Sequence, residues 1–153
     1  MDKEQFSKFI EERYNKETNW YDHKAQKYKT YYTRFQFSVI ILSTLTPVII
    51  SQESNMSRSG EFDYWKLVAI SLSTAVAIIT TLLKTFKFHE TWINYRTTCE
   101  TLRKEIHLYN ASVGEYGRTA EKEKLFVERV ESLISRENTL WLSISRTEKE
   151  NKN

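Results

Sequence analysis

The chain has 153 residues, a net charge of +3 and 28% charged residues, with Lys and Arg interleaved with Glu throughout, a pattern too mixed for a nucleic-acid-binding face. Cys99 stands alone without a CxxC partner, and no Gly-rich phosphate loop, nucleophile elbow or pair of catalytic carboxylates is present. These absences argue against an enzyme and against a bound metal or cofactor.

The mean hydropathy of -0.58 suggests a soluble protein only because it averages two kinds of segment. Almost all charge lies in residues 1–34 and 84–153, while Phe35–Gln52 and Leu67–Leu83 contain none. Each uncharged run is near the minimum that crosses roughly 30 Å of hydrocarbon at about 1.5 Å per residue. The reading in chain order is an all-α membrane protein with two transmembrane helices in a hairpin, forming a single domain over 1–145.

Residues 3–34 predict an amphipathic cytosolic helix with Phe6, Phe9, Ile10, Tyr14, Tyr21, Tyr28 and Tyr31 on its apolar face, running unbroken into a first span at 35–52. Pro47, the only proline, lacks an N–H, frees the Ser43 carbonyl and predicts a bend or early end near the outer face. A polar connector follows at 53–65. The second span, 66–84, meets no Gly or Pro and continues as a cytosolic helix to 112, a single rod of some 70 Å at about 1.5 Å per residue. The stretch ASVGEYG breaks it. A last amphipathic helix spans 119–145 with the stripe Phe126, Val130, Leu133, Leu140 and Ile144, and 146–153 forms a frayed tail.

A soluble bundle with two buried helices is the alternative, and three features favour the membrane. Aromatic residues bracket the runs: Tyr31 and Tyr32, Tyr64 and Trp65, then Phe86, Phe88 and Trp92. Lys66 and Lys84 flank the second run and can snorkel. Apart from Ser and Thr, both runs are apolar all round rather than amphipathic. Lys24, Lys27, Lys29 and Arg34 precede the first span and Lys84, Lys87 and Arg96 follow the second, whereas the connector carries Arg58 against Glu53, Glu61 and Asp63. The positive-inside rule then puts both termini of a multi-pass protein in the cytosol and the short connector outside. The N-terminal residues lack the apolar region of a signal peptide.

The stretch FHETWINYR begins like the zinc-protease signature HExxH, but position 93 is Ile, so the second imidazole is missing. His89 and Glu90 read instead as polar residues at a helix–water boundary.

Trp92, Tyr95, Cys99, Leu102, Ile106 and Tyr109 recur in alternating steps of three and four, a heptad seam. Continued backward, the same steps give Phe88, Thr85, Thr81, Ile78, Thr74 and Ser71, a face that is largely hydroxyl-bearing within the span. Such a face packs against another helix or, repeated around an axis, lines a pore. Two spans cannot enclose an aqueous path, so a homo-oligomer is expected; whether the seam packs within or between subunits stays open. Trp92 and Tyr95 are interfacial anchors or core aromatics. Arg96 and Glu100, one turn apart, can pair for roughly 0.3 to 0.5 kcal/mol if exposed.

The segment WINYRTTCETLRKEIHLYNASVGEY resembles the DUF4231 branch of the SLATT domains, two-transmembrane modules of bacterial nucleotide-signalling defence systems. WYDHKA, LSTLTPVI and LFVERVESLISREN extend the resemblance over about residues 18–142. Trp92, Tyr95, Arg96, Glu100, Leu102, Glu105 and Tyr109 sit where the family pattern expects them. The resemblance implies an antiphage membrane effector that forms a pore or disrupts the inner membrane when a partner senses infection. It also implies a nucleotide-signalling or sensor protein as the partner supplying the trigger. A membrane-anchored interaction scaffold without pore activity is the alternative.

Overall fold

The computed structural model describes residues 2–56 and 64–150, and the surroundings of side chains over 2–51 and 64–136. The described chain is all-α: α1 (Lys3–Phe9), a π-helical turn (Ile10–Tyr14), α2 (Asn15–Met56), α3 (Tyr64–Phe86), α4 (Phe88–Ala111), a 3-10 turn (Gly114–Gly117) and α5 (Lys122–Glu150). A capping box starts α1: Asp2 Oδ1 accepts from the Lys3 N–H at 2.7 Å and Gln5 Oε1 from the Asp2 N–H at 3.4 Å. The π-turn interrupts the helix expected to run unbroken over 3–34, and it adds a residue to the turn that sets Tyr14 inward.

From Tyr14 onward, α2 is organised by one spacing. Starting with Tyr14 at the end of the π-turn, Thr18, Tyr21, Ala25, Tyr28, Tyr32, Phe35, Val39, Leu42, Thr46 and Ile49 form a buried or half-buried series in alternating steps of four and three, flanked by half-buried Glu17, Asp22, Lys24 and Ser38. Tyr31, expected on this face, is exposed, and Tyr32 takes its place. Pro47 does not end the helix, which continues to Met56. Just before it, the Thr46 hydroxyl donates to the Leu42 carbonyl at 2.8 Å and Thr44 to Ile41 at 2.9 Å. The helices also extend into the expected connector, α2 to Met56 and α3 from Tyr64, while Arg58, Glu61 and Asp63 lie outside the described residues. At the other end α5 reaches Glu150, beyond the boundary expected at 145; the side chains of Leu140 and Ile144 lie outside the described residues.

The chain forms two compact units, residues 1–25 with 93–153, and residues 26–92. In the second, Phe88 packs on Tyr28, Tyr31 and Phe35. Ser43, Thr46, Pro47 and Ile50 line a groove of about 310 Å³ with Ser73 and Val76. Rising residue numbers on α2 meet falling numbers on α3, so the two helices run antiparallel. The covered face of α3 centres on Ala69, Leu72, Val76, Ile79 and Leu83, again a three-four alternation, with Ala75 and Thr80 half-buried beside it. Both helices are long and apolar enough to cross a membrane, and almost nothing in their apolar windows is buried. Phe37, Ile41 and Val48 on α2, and Leu67, Ile70 and Ile78 on α3, are exposed.

The rod expected from the second span to residue 112 is divided at Lys87, whose φ of 45° places a non-glycine residue in the left-handed region. The helix restarts with the Thr91 N–H bonded to the Lys87 carbonyl at 3.0 Å. This residue alters the phase: the inward series passes from Leu83 to Phe88, a step of five, instead of continuing through Thr85 and Thr81. Ser71, Thr74, Ile78, Thr81 and Thr85 are consequently all exposed on α3, away from its partner. Left-handed backbone costs an L-residue roughly 1 to 2 kcal/mol, a penalty glycine escapes. Lys87→Gly is therefore expected to raise the melting temperature of the detergent-solubilised protein, and β-branched Lys87→Val to lower it. The reverse order would place a continuous right-handed helix at this junction.

Candidate functional site

The residues that carry the motif meet their partners in the unit formed by 1–25 and 93–153. Its core is Tyr14, Tyr21, Ala25, Tyr95, Cys99, Leu102, Tyr116, Phe126, Val130 and Ile134, all buried. The N-terminal helices, α4 and α5 each present one apolar stripe, and the three stripes close on one another. The seam of α4 thus packs inside the protomer: the Tyr14 hydroxyl donates to the Leu102 carbonyl at 2.9 Å, and Phe6, Tyr109 and Phe126 stack with centroids 5.1 to 5.8 Å apart. Ile106 and Tyr109 are half-buried. On α5, Phe126 and Val130 are buried and Leu133 half-buried, with Ile134 completing the stripe.

The stretches WYDHKA and WINYR, far apart in sequence, form one contact. Trp20 meets Tyr95 edge to face at 5.6 Å, Tyr21 lies 6.1 Å from the same ring, and Ala25 is buried. Beside them Asp22 accepts from Arg96 at 3.2 Å and pairs with Arg103 at 3.5 Å, while Glu100 bridges the two arginines at 2.6 and 3.4 Å. Arg96 and Glu100 are each about half exposed, so their pair contributes only a few tenths of a kcal/mol. Asp22 gives it value by tying α2 to α4. Arg13 of the π-turn joins Glu17 of α2 at 2.7 Å and Glu131 of α5 at 2.9 Å, which holds its guanidinium still more firmly charged than usual.

Glu105 is the one buried carboxylate among the described residues. It accepts the Tyr116 hydroxyl at 2.6 Å and pairs with Arg129 at 3.1 Å; Arg129 also reaches Glu115 at 2.7 Å and lies over the Tyr116 ring. The chain can deliver Tyr116 there because α4 ends in a Schellman motif. The Val113 N–H bonds to the Leu108 carbonyl and the Ser112 N–H to that of Tyr109, with Ser112 in the left-handed conformation. Gly117 then passes so near that a Cβ would stand 2.6 Å from the Ser112 carbonyl oxygen.

Trp92 is half-buried, with Lys29 over its ring and His89 beside it; His89 also packs on Tyr32. No group of three His, Cys, Asp or Glu residues among the described ones is placed to hold a metal. The motif residues are thus a set of fastenings between α4 and its neighbours, joined by partners the spacing of α4 does not reveal: Asp22 from α2 and Tyr116 from the turn.

Burial, reinforced by the hydrogen bond and charge of Glu105, pushes the Tyr116 phenol well above the ordinary tyrosine value in spite of Arg129. Burial also raises Tyr14 and Tyr109. The fold therefore favours the neutral phenols. Their contribution is complete below about pH 10, where unfolded tyrosines stay protonated, and is lost as pH rises beyond it. Thermal melting should show stability falling above about pH 10, less steeply in Tyr116→Phe. At neutral pH Glu105→Ala strands the Tyr116 hydroxyl and should cost about 2 kcal/mol, and Tyr116→Phe should abolish part of that loss. Additive losses would show that the two do not interact.

The family described as "protein of unknown function (DUF4231)" matches residues 16–124. No curated protein and no solved structure matches the chain. The matched span runs from α2 through the Glu105–Tyr116 turn, and the chain belongs to the DUF4231 family.

Proposed function

We propose that this protein is an integral membrane effector of a bacterial antiphage system. In this reading α2 and α3 cross the inner membrane as a hairpin, with both termini in the cytosol, and several copies assemble to open a pore or disrupt the bilayer. A nucleotide-signalling or sensor partner supplies the trigger; no catalysis, cofactor or nucleic acid is involved. One observation carries the reading: the Ser71, Thr74, Thr81 and Thr85 face of α3 is exposed, with the described residues of α2 packed on its other side. Internal packing uses the opposite side, so the hydroxyl face is free to meet other copies around an axis. The seam of α4, in contrast, is occupied within the protomer and lends the assembly no surface.

A second reading, a membrane-anchored scaffold, is favoured by the hydroxyls' own bonds. Ser71 donates to the Leu67 carbonyl, Thr74 to Ile70 and Thr81 to Ala77, each at 2.8 to 2.9 Å, so these groups can face lipid without water.

Expression in cells carrying a potential-sensitive dye, with carbonate extraction of the same membranes, separates the readings. The pore reading predicts depolarisation by the membrane-embedded protein, and Thr81→Leu with Thr85→Leu should reduce it without reducing extraction-resistant protein. An embedded protein whose triggered assembly leaves the potential and dye-loaded vesicles intact would leave the scaffold standing and remove the pore.

A further inference from the structure

At one end of the α2–α3 pair, cations gather around an aromatic cluster. Lys27, Lys29 and Arg34 on α2 and Lys84 and Lys87 at the α3–α4 junction are all exposed. Over residues 26–35 and 84–92 these five face a single carboxylate, Glu90. None of them forms an ion pair among the described residues. The rings of Tyr28, Tyr31, Phe35 and Phe86 converge on Phe88 with centroids 5.6 to 6.2 Å away. Lys27 lies 5.8 Å over the Tyr31 ring and Lys29 5.7 Å over that of Trp92, so their charges are held beside the rings. In sequence the connector side lacks this imbalance, because residues 53–66 hold Arg58 and Lys66 against Glu53, Glu61 and Asp63.

We propose that this belt is a docking surface for the phosphates of anionic phospholipid headgroups, with Lys29, Arg34, Lys84 and Lys87 as the charged contacts. The placement selects this occupant. Arg34 and Lys84 border the uncharged runs, where hydrocarbon gives way to headgroups, and the rings occupy the amphipathic zone between. A cation beside an anionic surface gains about fivefold in partition, and several cations combine. The left-handed turn at Lys87 belongs to the same surface, because it sets Lys87 between Phe86 and Phe88 where the two helices meet. The inference rests on the membrane insertion proposed above.

The test uses the full chain in nanodiscs and in detergent. Retention of phosphatidylglycerol against phosphatidylcholine of matched acyl chains is read by native mass spectrometry, with carbonate extraction of cell membranes alongside. The expected result is roughly fivefold or greater retention of phosphatidylglycerol. It should fall toward parity in Lys29→Gln, Arg34→Gln, Lys84→Gln, Lys87→Gln, persist in Lys66→Gln, and resist competition by inorganic phosphate. Circular dichroism of the fourfold variant confirms its helices; a variant that loses them is replaced by the separate α2 and α3 pairs of substitutions. Equal retention of both lipids by an extraction-resistant parent overturns the belt alone. Displacement of phosphatidylglycerol by free phosphate overturns it in favour of a soluble anion. Recovery of the parent in the carbonate supernatant overturns both the belt and the membrane reading.

Discussion

The constraint on which the rest depends is the single three-four spacing of α2. It runs from Tyr14 to Ile49 without a slip, while the composition around it changes from charged to uncharged. In the lower stretch the spacing selects Tyr14, Thr18, Tyr21 and Ala25, whose polar atoms are few and whose neighbours carry charge. Hiding that stripe from water is the driving force there. In the upper stretch it selects Val39, Leu42, Thr46 and Ile49, whose neighbours are just as apolar. Close packing, rather than removal from water, must hold that stretch if lipid surrounds it.

The polar contacts then decide which helix faces which. Apolar stripes attract any other stripe, but Asp22 accepts two arginines of α4, Arg13 finds Glu131 of α5, and Glu105 receives Tyr116. Most of these pairs are too exposed to stabilise the fold by much. The Glu105 cluster differs, since a buried carboxylate stripped of its partners would be costly to retain. Its role is to lock the turn that reverses the chain from α4 into α5.

Much of this was legible from periodicity. The Tyr95, Cys99 and Leu102 series and the Phe126 and Val130 series are buried on the faces their spacing indicates, and the break at ASVGEYG lies where Gly114 and Gly117 allow left-handed backbone and close approach. Two single-residue insertions in the helical phase were not legible. Nothing about Ile10–Tyr14 distinguishes a π-turn from an α-turn, and a left-handed Lys87 has no sequence signature. The second changed a functional expectation, because extrapolating the α4 seam backward assumed right-handed backbone at that residue. The partners Asp22 and Tyr116 were hidden for a different reason: they reach α4 through chain reversal, which local spacing does not encode. Tyr31 and Tyr32 show the limit of reading a stripe by residue type, since the two are chemically equal and only phase separates them.

The account stands most directly on which face of α3 meets α2. In a Cys99→Ser background, oxidative cross-linking of Thr46→Cys with Val76→Cys can be compared with Thr46→Cys paired to Thr74→Cys, each resolved by peptide mass mapping. The structure predicts a disulfide within one chain for the first pair and none within the chain for the second. Closure of the second pair and not the first would put the hydroxyl stripe against α2, and would contradict both the phase change at Lys87 and the uncovered face on which the proposed assembly rests.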